Sequence, residues 1–180
     1  MEFESVIKSR ESIRDFTEKK VEDEKINFVL ECARLAPSWT NKQCWQFIVV
    51  KDKKIIKDLS KTSIINRWLK NVPVIIVACG DPKQSGFRNG IEYFIVDVSI
   101  ALEHLVLAAT DKGLGTCWIG GFNGKKVKKI LKIPENIRVV ALTPLGYPAE
   151  RKHFIGKLAK IVTQSKKRKN LDKIIHENSW

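Results

Sequence analysis

The chain has 180 residues, of which 43% are hydrophobic and 29% are charged, and its formal net charge at pH 7 is +13. This length suits one domain and is too short for two independent domains of usual size, and the composition excludes wholesale disorder. The N-terminus lacks the apolar segment of a secretory signal, and the longest purely apolar run, 72–79, is far shorter than the roughly 20 residues that a membrane-spanning helix needs. We therefore expect a single domain, 1–180, in the cytoplasm and without a membrane as partner.

Helix and strand patterns alternate loosely in the first half of the chain. Asp23 is placed to cap a helix that ends before Pro37, and Asp52 is placed to cap a helix that runs through Ser60. The runs QFIVVK and VIIVAC are rich in β-branched residues, which favours strands, the second of them fully buried. The elements predicted for this half are helices over 2–9, 24–36 and 53–60 and strands over 46–51 and 74–79.

The second half is organised around one apolar helix. Residues 80–90 are dense in turn formers and predict a loop. The next stretch, 91–113, is almost entirely apolar, which indicates a central helix buried by its neighbours or by a second subunit. A strand over 116–119, a basic helix over 125–132 and a core strand over 137–145 complete the pattern. This order predicts an α+β fold in which a small sheet lies between helical layers.

The cysteines and the charges bound the possible chemistry. Four cysteines are scattered without a C-x-x-C pair, and three histidines lack metal-ligand spacing. We therefore expect buried, unpaired thiols in a reducing compartment and no bound metal. The last thirty residues hold nine Lys or Arg against two acids. Such an end suits nucleic acid, an acidic partner or a phosphorylated ligand, or is simply a solvated surface.

Familiar catalytic and nucleotide-binding motifs do not occur. There is no G-x-G-x-x-G, P-loop, G-x-S-x-G or H-E-x-x-H pattern, which removes the main sequence evidence for dinucleotide folds, P-loop enzymes, serine hydrolases and zinc proteases. Four stretches instead carry polar residues or glycines that core packing does not require. They are SRESIR at 9–14, PSWTNKQ at 37–43, WIGGF at 118–122 and KKRK at 166–169.

The order of these stretches resembles the FMN-dependent nitroreductase family. The matching pieces are R-x-S-x-R-x-F, A-x-x-A-P-S-x-x-N-x-Q-x-W, GLGTCWIGGF, LGYP and a K-x-R near the C-terminus, and together they cover nearly the whole chain. The resemblance implies a nitroreductase-like fold, with a small mixed or antiparallel sheet between helices, in an intertwined homodimer that holds flavin at its interface. It also implies that the C-terminal segment, about 151–180, crosses to the partner subunit.

The resemblance gives the first stretch a role in binding FMN. Arg10, Ser12 and Arg14 would lie along the phosphate, the ribityl chain and the pyrimidine edge of the cofactor. Guanidinium groups pair bidentately with phosphate oxygens, so two of them beside a hydroxyl suit an anion. The alternative for both arginines is surface ion pairing with a neighbouring acid: Glu11, Asp15 or Glu18.

The basic run near the C-terminus is implied to reach the same phosphate. Lys166 and Arg168 match the K-x-R of the family, although Lys167 and Lys169 fit this role as well. The register is open because the segment HFIGKLAKIV before it has no clear counterpart.

The second stretch matches the loop that in this family approaches the flavin from the partner subunit. Pro37, Ser38, Asn41 and Gln43 are the implied cofactor-binding residues, and amides can both donate and accept hydrogen bonds along the ring edge. An ordinary turn explains Pro37 and Ser38 as well. Trp39 departs from the small residue common at its position, so it would narrow the pocket or stack on substrate.

The third stretch matches a strand end that lies beside the flavin ring. Ile119, Gly120 and Gly121 would place a backbone N–H at the ring edge, and glycine permits that close approach. Asn66 matches loosely a family asparagine that bonds to the ring. A simple strand-ending turn is the alternative for the glycines.

The activity that the resemblance implies is that of an NAD(P)H-dependent flavin oxidoreductase. NADH or NADPH would deliver hydride to flavin N5, and a nitroaromatic, a quinone or a similar small acceptor would then enter the same slot in a ping-pong cycle, with no catalytic side chain required. Flavin-dependent dehalogenation or flavin cleavage on the same fold is an alternative, although the short 80–90 loop does not favour a large lid. A basic nucleic-acid-binding protein is a further alternative, which no RRM, KH, helix-turn-helix or zinc-finger signature supports.

Overall fold

The computed structural model describes residues 1–149 and 168–180, so Lys166 and its alternative Lys167 lie outside the described residues. The described helices are α1 (Phe3–Ser9), α2 (Asp23–Arg34), α3 (Lys53–Ser60), α4 (Tyr93–Asp111) and α5 (Gly124–Leu131). The described strands are β1 (Trp45–Val50), β2 (Val74–Gly80), β3 (Phe87–Arg88), β4 (Ile91–Glu92), β5 (Gly115–Thr116) and β6 (Arg138–Gly146).

A four-stranded antiparallel sheet in the order β1-β2-β6-β5 lies between two helical layers. Along β2, alternate side chains face opposite layers, as the pleat of a strand requires. Ile76 and Ala78 pack in the core that contains α2 and α4, whereas Ile75 and Val77 pack in the core that contains α3 and α5. This is the predicted α+β fold with a small antiparallel sheet.

Helix α4 is the central helix that its apolar composition predicts. It packs against α2 and against the sheet, and Val98, Leu102 and Leu105 on it are fully buried. Among the described helices, it alone is long and apolar enough to span a bilayer by length and composition, and half of that stretch is buried inside the folded chain. Such burial is typical of a core helix. Its outer face leaves Ile95 and Val96 exposed.

The two predicted helix caps have different outcomes. The Asp52 carboxylate accepts hydrogen bonds from the backbone N–H groups of Lys54 and Ile55 at 2.8 and 2.9 Å, so the predicted cap of α3 is confirmed. The prediction for Asp23 is wrong by one position, because Glu22 occupies the cap position of α2. The Asp23 carboxylate instead accepts a hydrogen bond from Lys51 Nζ at 2.6 Å.

The predicted 80–90 loop contains regular structure. Strands β3 and β4 form a two-stranded ribbon that turns at Asn89 and Gly90, both with positive φ. An Asn-Gly pair is the usual signal for this tight hairpin turn, and it is legible in the sequence FRNGIE.

The predicted strand over 116–119 is interrupted rather than continuous. Ile119 pairs with Leu142 in the same register that joins Thr116 to Leu145, so Cys117 falls opposite Pro144. Proline has no N–H to donate to the Cys117 carbonyl. The Cys117 N–H donates to the Thr143 hydroxyl at 3.2 Å, and that hydroxyl donates to the Pro144 carbonyl. The regular pairing therefore stops after Thr116 and resumes at Ile119.

Candidate functional site

The Arg10–Arg14 segment lies along the free edge of β5. Ser12 forms a parallel bridge with Thr116, and the Ile13 N–H donates to the Thr116 carbonyl at 2.8 Å. Residues two apart on an extended segment share a face, so Arg10, Ser12 and Arg14 point to the same side, while Ile13 packs against Gly115 on the other.

The three polar side chains of this segment converge on Cys117. Burial raises the pKa of the Cys117 thiol, whereas the charges of Arg14 and Arg10 and a hydrogen bond with the Ser12 side chain lower it. Among the described residues, neither arginine forms a salt bridge. Two half-buried cations and a hydroxyl therefore lie beside the end of this strand.

The strand end itself is open. Ile119 is buried, but Gly120 and Gly121 are exposed, and a Cβ atom built on Gly120 would meet nothing within 4 Å. The Asn66 side chain donates to the Gly121 carbonyl at 3.2 Å, which brings this loosely matched residue to the same place. The structure thus brings together two of the four stretches that the sequence singles out, 9–14 and 118–122, and adds Asn66.

The rim of this strand end is apolar. Ile65, whose Cδ1 would lie 3.8 Å from a Cβ atom built on Gly121, is 78% exposed, and Trp118 is 42% exposed, although side chains of this size are usually buried. A planar ring that carries an anionic group would find apolar contact here and cations nearby.

The 37–43 loop lies at the opposite edge of the sheet. It leads into β1, which is separated from β5 by two strands. Pro37, Asn41 and Gln43 are exposed, and the Ser38 hydroxyl accepts a hydrogen bond from the Gln43 N–H at 2.9 Å. One chain therefore places this loop and the Arg10–Arg14 segment at different edges.

The remaining predicted ligand is Arg168. It is exposed at the beginning of the described C-terminal stretch, as is its alternative neighbour Lys169. Their contribution to a phosphate site stays a prediction.

Comparison with known proteins identifies the family. The model of the nitroreductase family matches residues 7–65 and 59–147, which is most of the chain. The chain is 36% identical to a candidate NADH dehydrogenase/NAD(P)H nitroreductase of Archaeoglobus fulgidus over 97% of both chains. It is 30% identical to an FMN reductase [NAD(P)H] of Bacillus subtilis, over 81% of this chain and 67% of the other. The chain belongs to the nitroreductase family.

The solved structures agree with this membership. A nitroreductase family protein of Clostridium novyi NT superposes with a TM-score of 0.81 at 44% identity, over 83% of this chain and 87% of the other. This similarity confirms the nitroreductase-like fold that the sequence predicts.

Sequence reasoning missed one polar residue of this nitroreductase, Asp97 on α4. Its carboxylate is buried and accepts hydrogen bonds from the Trp39 N–H at 2.8 Å and the Ser85 hydroxyl at 2.7 Å. Trp39 packs on Tyr93, with ring centroids 4.3 Å apart, so its indole is engaged within its own chain rather than free to stack on substrate. A lone acid in the apolar helix sequence YFIVDVSIAL is the signal that could have found it.

Gly115→Ala tests the docking of the Arg10–Arg14 segment. A Cβ atom at this position would lie 2.8 Å from Ile13 Cγ1, so the segment must shift, and we expect a loss of about 1–3 kcal/mol in the free energy of unfolding. Urea denaturation measures the loss. Gly120→Ala is the matched control, because open space surrounds it, and a change within about 0.5 kcal/mol is expected there. Equal stability of both variants would contradict the described packing of Ile13.

Proposed function

We propose that the chain is an FMN-dependent oxidoreductase that passes reducing equivalents from NADH or NADPH to a small electron-poor acceptor such as a nitroaromatic or a quinone. The observation that carries the proposal is the shared face of Arg10, Ser12 and Arg14 beside the open end of the strand at Gly120. Family membership and the names of the Archaeoglobus fulgidus and Bacillus subtilis relatives support the same chemistry.

The residues present fit an FMN molecule. A phosphate group needs cations or N–H donors, and two guanidinium groups without a salt bridge among the described residues are suited to it. A ring system needs apolar contact and close backbone approach, and the exposed Ile65 and Trp118 side chains and the space around Gly120 supply both. Lys166 and Arg168 are retained in this proposal as further phosphate ligands.

The chain contributes binding and electrostatics to the reaction. When bound, FMN supplies the redox chemistry, accepting hydride from a nicotinamide and returning reducing equivalents to the acceptor. In this proposal, Arg10 holds the phosphate, and Arg14 places positive charge at the pyrimidine edge, where it stabilises negative charge. Backbone groups at Ile119, Gly120 and Gly121 orient the ring, and protons are taken from solvent, so no side chain has to act as acid or base.

We also propose a homodimer in which the 37–43 loop of one chain completes the site of the other. The position of this loop at the β1 edge supports this arrangement, because the Arg10–Arg14 segment of the same chain lies beyond β5. The residues implied to reach the flavin from this side are Pro37, Ser38, Asn41 and Gln43. Residues 168–180 are exposed throughout and carry large apolar side chains, which a second copy would bury: Leu171, Ile174, Ile175 and Trp180.

The proposed location is the cytoplasm. All four cysteines lie within the described residues and none forms a disulfide, which is typical of a reducing compartment.

An absorption spectrum of the purified protein tests the proposed function. We expect flavin bands that NADH or NADPH bleaches under anaerobic conditions and that a nitroaromatic or a quinone restores. A colourless protein that takes up no FMN on reconstitution would refute the proposal, and bleaching by only one nicotinamide would identify the donor.

Arg10→Ala is expected to weaken FMN binding about 10–100-fold, because a charge-assisted hydrogen bond contributes about 1.5–3 kcal/mol. Riboflavin, which lacks the phosphate, should lose much less affinity, so the preference for FMN over riboflavin should fall. Quenching of flavin fluorescence measures both dissociation constants. Lys126→Ala, which removes an exposed cation on α5, is the matched control. Equal losses for FMN and riboflavin would place Arg10 away from the phosphate.

The double variant Ile174→Asp and Trp180→Ser tests the homodimer. Wild-type protein should sediment at twice the chain mass of 20.6 kDa, and the variant should shift towards the monomer because its apolar C-terminal contacts are replaced by polar ones. Sedimentation velocity at several concentrations measures the shift, with Lys126→Ala again as control. A wild-type monomer at micromolar concentration would contradict this arrangement.

A further inference from the structure

The 37–43 loop has a backbone conformation that it does not hold by itself. Thr40, Asn41 and Gln43 have φ values of 43°, 58° and 52°, in the left-handed region that non-glycine residues rarely adopt. Such conformations persist only where the surroundings enforce them. Within the loop, the Gln43 N–H donates to Ser38 Oγ, and the Gln43 side chain donates to Asn41 Oδ1 at 3.1 Å. These contacts join exposed groups, so a support from the core is needed.

Asp97 on α4 supplies a support that joins three separate segments. Its Oδ1 accepts from the Trp39 N–H at 2.8 Å, and its Oδ2 accepts from the Ser85 hydroxyl at 2.7 Å and faces Cys44 Sγ at 3.5 Å. Asp97 is 2% exposed, and a buried carboxylate is tolerated only where hydrogen-bond donors surround it. The loop, the start of β1 and the 80–90 segment are therefore fastened to one side chain.

The thiol in this cluster acts as a donor. Burial, followed by the charge of Asp97, raises the pKa of Cys44 to about 12, so its sulfur stays protonated at neutral pH. An S–H group can donate weakly to the carboxylate, whereas a thiolate would repel it. The carboxylate thus has three donors among the described residues: the Trp39 backbone N–H, the Ser85 hydroxyl and the Cys44 thiol.

The Trp39 indole is held in a slot beside the same cluster. It lies against the Tyr93 ring, and a Cβ atom at Gly86 would come within 2.2 Å of Trp39 Cε2. The ring therefore occupies space that only a glycine at position 86 leaves free. The hydrogen bond from the Trp39 backbone N–H to Asp97 fixes the backbone of this residue, and the slot fixes its side chain.

We propose that Asp97 is a positioning residue for the flavin site, because it holds the 37–43 loop in the shape in which that loop completes the site of the second copy. The proposal rests on the proposed function. Asp97 itself lies behind the loop in the core and touches Trp39, Ser85 and Cys44, so its effect on cofactor binding is exerted through the loop.

Three variants test the proposal: Asp97→Ala, Asp97→Asn and Val98→Ala. Asp97→Ala leaves the Trp39 N–H and the Ser85 hydroxyl without their acceptor. Asp97→Asn keeps an amide oxygen for the Trp39 N–H and offers an N–H group to Ser85 Oγ, so it should restore most of the lost function. Val98→Ala, at the adjacent and fully buried position, destabilises the same helix and leaves both Asp97 hydrogen bonds in place.

Two measurements separate a positioning role from general destabilisation. The first is the FMN dissociation constant of folded protein, which should rise about tenfold or more in Asp97→Ala, the equivalent of 1.4 kcal/mol, and should stay near the wild-type value in Asp97→Asn and Val98→Ala. The second is amide hydrogen exchange of peptides covering 37–43 in the protein without FMN, which should accelerate in Asp97→Ala alone. Thermal unfolding and circular dichroism establish that each variant is folded.

The outcomes distinguish the two proposals. If Asp97→Ala matches Val98→Ala in both FMN affinity and loop exchange, the role of Asp97 is refuted. If Asp97→Asn loses as much FMN affinity as Asp97→Ala although amide exchange in its 37–43 loop is unchanged, positioning through the Trp39 backbone N–H is also refuted. If wild-type protein binds no FMN, the proposed function fails, and the exchange measurement alone then shows whether Asp97 fastens the loop.

Discussion

The candidate site depends on the hydrogen bond from the Ile13 N–H to the Thr116 carbonyl, which fastens the N-terminal segment to the edge of β5. Ile13 fits there because Gly115 has no side chain, and a Cβ atom would come within 2.8 Å of it. Once Ile13 faces the sheet, the period of two turns Arg10 and Arg14 to the other side together. A backbone contact and a missing methyl group thus decide where two positive charges lie.

The second constraint is Pro144 in β6, the strand that pairs with β5. Pro144 has no N–H to donate to the Cys117 carbonyl, so regular pairing stops there and resumes where Ile119 pairs with Leu142. The Thr143 hydroxyl accepts a hydrogen bond from the Cys117 N–H and donates one to the Pro144 carbonyl at 3.1 Å, so the buried Cys117 N–H is satisfied at this gap. The pairing ends after Ile119, and two glycines follow it in the chain. The open strand end at Gly120 thus follows directly on Ile119, which is buried in the core.

The sequence predicts those features that depend on neighbouring residues and misses those that depend on distant ones. Asp52 caps α3 as expected, because the cap and the groups that it satisfies are two and three residues apart. Asp23 is also a residue type that favours a helix cap, but its carboxylate accepts a hydrogen bond from Lys51, which is 28 positions away in the sequence. Two other features also depend on residues far apart in the sequence. One is the effect of Pro144 on the pairing of Cys117, and the other is the set of hydrogen bonds that Asp97 accepts from Trp39 and Ser85. The site stretches stood out by polar residues and glycines that core packing does not require, and the family resemblance supplied their roles. The structure brings residues 10–14, 66 and 119–121 together, and their binding roles stay predictions.

Helix α4 relates the two edges of the sheet to each other. It contacts β5 on one side and the turn at Trp39–Asn41 on the other, and its inner face is packed without exposed surface at Val98, Leu102 and Leu105. Close-packed interiors do not deform continuously, so a shift at one end of such a helix is not absorbed along its length. In the proposed dimer, each chain contributes its Arg10–Arg14 segment to one flavin site and its 37–43 loop to the other. The same helix then fixes the relative position of the two contributions, and the geometry of both sites is set by one buried interface rather than by two independent loops.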